Sequence, residues 1–90
     1  MEKKINVLEK LTRSEIKTEL LRMFLNNPGL IDSLDGVAMR MGRTGGAIKM
    51  DVEELENVGV LQRKFVGGTS VFYLDPSTVD VVAKLLKGCH

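Results

Sequence analysis

Apolar residues recur at helical spacing through the first two thirds of the chain. Ile16, Leu20 and Phe24 repeat every four positions and would share one face of a helix. Thr12 and Glu15 have the spacing of a capping box, which favours a helix start near residue 13. Patterns of this kind predict helices over residues 1–11, 13–26, 34–41 and 44–58.

Short breaks are predicted to separate these helices. Leu30-Ile31 is an apolar step that predicts a minimal strand, and Asp32 or Ser33 is predicted to cap the helix that follows. Gly42 is predicted to end that helix in a left-handed conformation. Thr44 is then in position to cap the next helix, so only a tight turn connects the two.

The helix predicted over residues 44–58 has an apolar face and segregated charges. Ile48, Val52 and Leu55 lie at i, i+4 and i+7, so all three are predicted to point into the core. A helix whose first turn approaches phosphates would carry basic residues near that turn and acidic residues toward its C-terminal end. The alternative is a solvent-exposed face on which charges of the same sign happen to cluster. From residue 40, just before this helix, to residue 50 the charged residues are all basic: Arg40, Arg43 and Lys49. From residue 51 to residue 56 they are all acidic: Asp51, Glu53, Glu54 and Glu56.

The last third of the chain changes to a strand pattern. Val60 to Val66 and Val71 to Leu74 are rich in β-branched and aromatic residues, and Gly67 to Ser70 between them predicts a hairpin turn. Asp75-Pro76 breaks the second strand. Ser77 to Lys87 then predicts a last helix with an unusually wide apolar surface.

Length and composition bound the class of protein. The chain has 90 residues, 43% hydrophobic and 28% charged, which predicts one globular domain over residues 1–90. Its net charge of +1 is low for a nucleic-acid binder. The N-terminus lacks the apolar run of a signal peptide, and no stretch approaches the ~18 apolar residues of a membrane span. A cytoplasmic protein without a membrane partner is therefore expected.

No catalytic, metal or cofactor chemistry is predicted. Cys89 and His90 are the only cysteine and histidine, and both lie at the end of the chain. A zinc site needs about four ligands, and a nucleophile needs a base within hydrogen-bond reach. Gly67-Gly68 lacks the spacing of a phosphate-binding loop. We therefore expect no enzyme, no metal and no cofactor.

The order of the elements resembles a known superfamily. Helix, short strand, helix, tight turn, helix and hairpin follow one another from about residue 12 to residue 74. After Val52 to Val58 come Gly59, the apolar pair Val60-Leu61 and the basic Arg63-Lys64, as in winged helix-turn-helix domains of small MarR-like and ArsR-like regulators. The resemblance implies an α+β, mostly helical domain: a winged helix core over 12–74 with three helices and a two-stranded wing, flanked by helices over 1–11 and 77–87.

The resemblance also implies sequence-specific binding of double-stranded DNA by a transcription regulator. In this superfamily the third helix, here about 44–58, enters the major groove with its N-terminal residues leading. Basic side chains would hold phosphates, and Thr44, Lys49 and Met50 would face the bases. Gly45 and Gly46 leave two interpretations open. They could allow the backbone N–H groups at the start of the helix to approach a phosphate closely, or they could simply form a tight turn with little side-chain bulk. The implied DNA-contacting residues are Arg40, Arg43, Thr44, Gly45, Gly46, Lys49, Met50, Arg63 and Lys64.

Two alternatives remain open at this stage. The wing tip is uncharged, so minor-groove readout by the wing is not expected, and the same fold could instead dock onto proteins without binding DNA. The wide apolar surface of the last helix favours a homodimer, with the alternative that the two terminal helices only cover each other within one monomer. The predicted dimer residues are Ile5, Leu8, Val81, Val82 and Leu85.

Overall fold

A computed structural model describes residues 15–27 and 29–87. The predicted helix over 1–11, the start of the capping box and the predicted dimer residues Ile5 and Leu8 lie outside these residues. The helices are α1 (Glu15–Asn26), α2 (Leu34–Arg40), α3 (Gly45–Asn57) and α4 (Val79–Lys87), with a 3₁₀ turn (Pro76–Thr78) before α4. The strands are β1 (Asp32–Ser33), β2 (Leu61–Val66) and β3 (Thr69–Leu74).

Side-chain caps begin α2 and α3, as the sequence predicts. Ser33 Oγ accepts a hydrogen bond of 3.1 Å from the backbone N–H of Gly36, so Ser33 rather than Asp32 caps α2. Thr44 Oγ1 accepts one of 3.3 Å from the N–H of Ala47. Gly42 has a positive φ of 69°, which confirms the left-handed turn between the two helices. These contacts fix how α3 leaves the turn.

The short strand lies two residues later than predicted. Leu30-Ile31 is not a strand, because the N–H of Leu30 bonds to the carbonyl oxygen of Asn27 in a turn. Asp32 and Ser33 pair instead with β3, and the sheet has three antiparallel strands in the order β1-β3-β2. The wing therefore has one strand more than the two predicted.

The two long strands of the wing, β2 and β3, form a hairpin. Its register places Leu61 opposite Leu74, Arg63 opposite Phe72 and Phe65 opposite Ser70. The turn consists only of Gly67 and Gly68, both with positive φ, so β3 begins at Thr69 and not at Val71 as predicted. The wing is thus longer and narrower at its tip than the sequence suggests.

A single apolar core joins the helices to the base of the sheet. The predicted inward face of α3 is confirmed, since Ile48, Val52 and Leu55 are all buried. This burial sets the rotation of α3 about its axis and leaves the opposite face to solvent. The buried core residues are Leu20, Leu21, Phe24, Val37, Ala38, Ile48, Val52, Leu55, Val60, Leu61, Phe72 and Val82.

The last helix turns one face to this core. Val82 is 0% exposed within the single chain, so the prediction that it contributes to a dimer interface is wrong: it has no surface left for a partner. Leu85 is half-buried and packs against the core, whereas Val81 remains exposed. Among the described residues, no helix is both long and apolar enough to cross a membrane.

Candidate nucleic-acid interface

A cleft separates α3 from the wing. Its volume is about 240 Å³. Lys49 and Glu53 lie one turn apart on the solvent side of α3 and line one wall, and Arg63 and Ser70 line the other. Apolar side chains form the remainder of the lining, from Leu34, Val52 and Phe72. The cleft therefore presents two cations and one hydroxyl, with a single carboxylate, between a helix and a hairpin.

Two contacts hold the position of Arg63. Its Nη2 atom lies 2.9 Å from the Oε1 atom of Glu56, and its guanidinium stacks 4.9 Å from the ring centroid of Phe72. Both partners are partly or fully buried, so the guanidinium is fixed beside the end of α3. Arg63 therefore both lines the cleft and connects the wing to the end of α3.

Lys64 lies on the other face of the wing. Successive side chains of a strand point to opposite faces, and the ammonium group of Lys64 lies 5.5 Å from the ring centroid of Tyr73, away from the cleft. The sequence grouped Arg63 and Lys64 as one basic pair. The structure separates them, and only Arg63 shares the cleft with Lys49.

The first turn of α3 has one buried and one exposed glycine. Gly45, one of the implied DNA-contacting residues, is buried, and an added Cβ would overlap the carboxylate of Asp35 on α2. Gly46 is exposed, and nothing lies within 4 Å of the position of an added Cβ. Close packing against α2 accounts for Gly45, whereas nothing in the described fold requires a glycine at position 46.

Arg40 and Arg43 both pair with carboxylates from other elements. Arg40 Nε lies 3.3 Å from Asp32 Oδ2 at the exposed edge of the sheet. Arg43 donates to the carboxylate of Glu19 on α1 through Nε and Nη2, each at 3.3 Å. A phosphate would have to displace these carboxylates or share the guanidinium groups with them.

Most of the acidic residues in the C-terminal half of α3 are paired with cations of the same chain. Lys17 on α1 lies 2.8 Å from Asp51 and 3.2 Å from Glu54, and Glu56 pairs with Arg63. Burial lowers the pKa of Lys17, but its hydrogen bonds and attraction to the two carboxylates more than offset this, so the pKa is raised above that of an ordinary lysine. The sequence indicates that the acidic C-terminal half of α3 repels phosphate. Because Asp51, Glu54 and Glu56 are paired with cations, the negative electrostatic field at this end of the helix is weaker in the structure.

Met50 and Phe65 are the most exposed apolar side chains of α3 and the wing. Met50, predicted to face outward from α3, is 72% exposed. Phe65, near the end of β2, is also 72% exposed, and sequence reasoning assigned it no role beyond the strand. A single aromatic residue in a strand sequence does not indicate whether its side chain is buried or exposed. The register of the hairpin was needed to place Phe65 on one face of the wing.

Another cleft lies elsewhere and is apolar. It has a volume of about 290 Å³ between the end of α1, β3 and the start of α4, and Phe24, Ile31 and Val79 are among its lining residues. It contains no charged side chain, so it adds nothing to a phosphate-binding surface. Within residues 15–27 and 29–87, no group of three or more Cys, His, Asp or Glu is arranged to hold a metal ion.

Three helices followed by a β-hairpin, with α2 and α3 joined by a tight turn, define the winged helix-turn-helix fold. Solved structures with this arrangement superimpose on nearly the whole chain. HlyU from Vibrio cholerae N16961 is 19% identical with a TM-score of 0.77, and the match covers 98% of this chain and 94% of that chain. At such identities the likeness establishes the fold alone.

Two further solved structures extend the comparison. One is the homodimeric winged helix-turn-helix DNA-binding domain of a possible ArsR-family transcriptional regulator from Mycobacterium bovis, 9% identical, with a TM-score of 0.77 and coverage of 96% of this chain and 78% of that chain. The other is a possible transcriptional regulator from Methanosarcina mazei Go1, 14% identical, with a TM-score of 0.66 and coverage of 92% and 76%. No protein-family model and no curated protein matches the sequence.

Proposed function

We propose that this chain binds double-stranded DNA as a transcription regulator, with α3 in the major groove. The observation that carries the proposal is the cleft with Lys49 on its helix wall and Arg63 on its wing wall. A DNA backbone passing between the helix and the wing would meet both cations. The described solved structures support the same use of the fold, since one is a DNA-binding domain and another a possible transcriptional regulator.

The exposed Gly46 at the start of α3 also supports the placement of this helix in the major groove. Gly46 has open space around it, so the fold itself gives no reason for a residue that costs about 1 kcal/mol in a helix. A phosphate approaching the first turn closely would give one, because it could accept hydrogen bonds from free backbone N–H groups. Of the two interpretations of the glycine pair, we therefore propose close approach of a phosphate for Gly46, whereas packing against Asp35 accounts for Gly45.

Sequence readout would come from the outward face of α3. Lys49 is exposed and, among the described residues, has no carboxylate within salt-bridge distance, so its ammonium group is available to a base edge or a phosphate. Met50 would contact a thymine methyl group through its exposed thioether side chain. Thr44 already caps the helix through its hydroxyl, which leaves its methyl group for apolar contacts.

We further propose that the protein acts as a homodimer. The Mycobacterium bovis domain is described as homodimeric, and α4 leaves two apolar side chains, Val79 and Val81, exposed at separate positions around the helix. Two-fold symmetry would present two copies of α3 to successive half-sites on one face of the duplex. Light scattering should give twice the monomer mass at micromolar concentration, and a monomer mass would contradict the dimer without touching DNA binding.

The direct test is fluorescence anisotropy with a labelled random-sequence duplex at two salt concentrations. Binding should weaken steeply as salt rises, because phosphate contacts release counterions. Lys49→Ala should weaken binding and lower the salt slope by about 1, whereas Lys84→Ala on exposed α4 serves as the matched control and should leave the slope unchanged. Equal slopes for the wild type and Lys49→Ala would contradict the assignment of Lys49.

A protein-docking function is the second candidate, and one observation favours it. Arg40, Arg43 and Arg63 are each already paired with a carboxylate, which lowers the positive field of the surface. A surface of that kind suits a protein partner better than a polyanion. The absence of any duplex binding at low salt would favour this candidate and lead to a search for the protein partner.

A further inference from the structure

We propose that Phe65 is an apolar wedge that the wing inserts into the minor groove of DNA, in place of a basic wing tip. The proposal rests on the DNA-binding function proposed above and adds a specific residue to it. Its starting observation is that the phenyl ring of Phe65 is 72% exposed near the end of β2, although a large apolar side chain is ordinarily withdrawn from water.

The register of the wing places Phe65 on the side of α3. Phe65 pairs with Ser70, and both share a sheet face with Arg63 and Phe72. Ser70, Arg63 and Phe72 line the cleft against α3, so Phe65 lies at the outer lip of that same cleft. Val66, the next residue, is 55% exposed on the opposite face. The two apolar side chains near the tip therefore have different surroundings.

The dimensions of the groove explain why a side chain, not the tip, would enter it. The minor groove is about 6 Å wide, and two paired strands alone are about 4.8 Å apart, so the backbone of the wing can lie over the groove but not deep within it. Gly67 and Gly68 form the tip and have no side chain to offer. Phe65 is the first bulky group behind the tip on the side that faces the cleft.

Two cations lie close to Phe65 along β2, although Arg63 is already paired with Glu56. Arg63 lies two residues before Phe65 on the same face, and Lys64 lies between them on the other face. A phenyl ring flanked by cations can rest in a groove while the cations approach the phosphates on either side. Apolar side chains used in this way partly unstack one base step, and pyrimidine–purine steps such as TA unstack most easily.

The test compares three variants for binding to the labelled duplex at two salt concentrations. Phe65→Ala should bind roughly ten-fold more weakly than the wild type, a typical loss for a ring that stacks on a base. The salt dependence of its binding should be unchanged, because the ring contacts no phosphate. An unchanged salt slope distinguishes the loss of the ring from the loss of a phosphate-binding cation. Phe65→Leu should recover most of the affinity, and Val66→Ala should match the wild type.

A second duplex with 2-aminopurine in repeated TA steps reports the unstacking directly. Its fluorescence should rise when the wild type or Phe65→Leu binds and should stay low with Phe65→Ala at saturation. Thermal unfolding of each variant checks folding, which should be unaffected because the ring is exposed. Phe65→Ala with wild-type affinity and wild-type fluorescence would overturn the wedge alone. A wild type without salt-sensitive duplex binding would overturn both this proposal and the function on which it rests.

Discussion

The ammonium group of Lys17 lies 2.8 Å from the carboxylate of Asp51, and this ion pair joins α1 to the middle of α3. Glu54, one turn further along α3, adds a second carboxylate at 3.2 Å. The Lys17 side chain is only 9% exposed, so its charge depends on these partners for solvation. The contact therefore helps fix the helix that carries the proposed DNA-binding face while neutralising its acidic rear.

Replacing Lys17 with methionine should destabilise the fold by about 1–3 kcal/mol, because Asp51 and Glu54 each lose one cationic partner. Urea unfolding at neutral pH would measure the loss. Lys84→Met, on the exposed side of α4, is the matched control and should change stability by less than about 0.5 kcal/mol. Equal stabilities of the two variants would contradict a structural role for Lys17.

The stabilisation from Lys17 should also depend on pH in a definite direction. Its pKa is raised in the folded chain, so the contribution is complete below the unfolded lysine pKa of about 10.4 and is lost as pH rises through the higher folded value. The gap in unfolding free energy between the wild type and Lys17→Met should therefore stay constant from neutral pH to about pH 9 and narrow above about pH 10.5. A gap that narrows toward acid only would contradict this sign.

The core prediction concerns Leu55, which is 0% exposed in the face that α3 turns inward. Leu55→Ala should cost about 2–5 kcal/mol, the range for a leucine removed from a packed core. Met50→Ala, on the opposite and exposed face of the same helix, should cost little. Chemical denaturation of both variants measures the difference. Similar costs would mean that α3 is rotated relative to the arrangement described.

The two glycines of α3 should respond differently to alanine. Gly46→Ala should leave stability unchanged or raise it by up to about 1 kcal/mol, since the added methyl group meets open space and alanine favours the helix. The same variant should weaken duplex binding if a phosphate approaches this turn. Gly45→Ala should gain less stability, because the Asp35 carboxylate must move aside. Calorimetry and duplex titrations of both variants provide the comparison, and unchanged binding by Gly46→Ala would exclude the close approach.

The sequence predicted those parts of the fold that local patterns determine. The inward face of α3 follows from the spacing of Ile48, Val52 and Leu55, and the helix starts follow from Ser33 and Thr44 within one turn. Each of these signals lies within a few residues of its effect. From α1 onward the element order was therefore correct, although the short strand lies two residues later and the hairpin turn is two residues shorter than predicted.

Contacts between distant segments could not be predicted in this way. Lys17 and Asp51 are 34 residues apart and Arg43 and Glu19 are 24 apart, and no local pattern joins either pair. The wide apolar surface of α4 likewise did not indicate which side would face the core, and so Val82 was assigned to the wrong surface. The candidate site was predicted as a set of basic residues, and the fold determines which of them already have partners.

The pair formed by Arg43 and Glu19 gives the last prediction. Glu19→Gln should tighten duplex binding several-fold and steepen the salt slope by up to about 1, because Arg43 no longer exchanges a carboxylate for a phosphate. The pair is partly exposed, so its loss should cost less than about 1 kcal/mol of stability. Asp80→Asn on α4 makes the same change in net charge without removing the partner of Arg43, and it controls for long-range attraction. Anisotropy titrations at two salt concentrations distinguish the cases: a larger effect in Glu19→Gln would place Arg43 on the DNA, whereas equal effects in both variants would reduce its role to net charge.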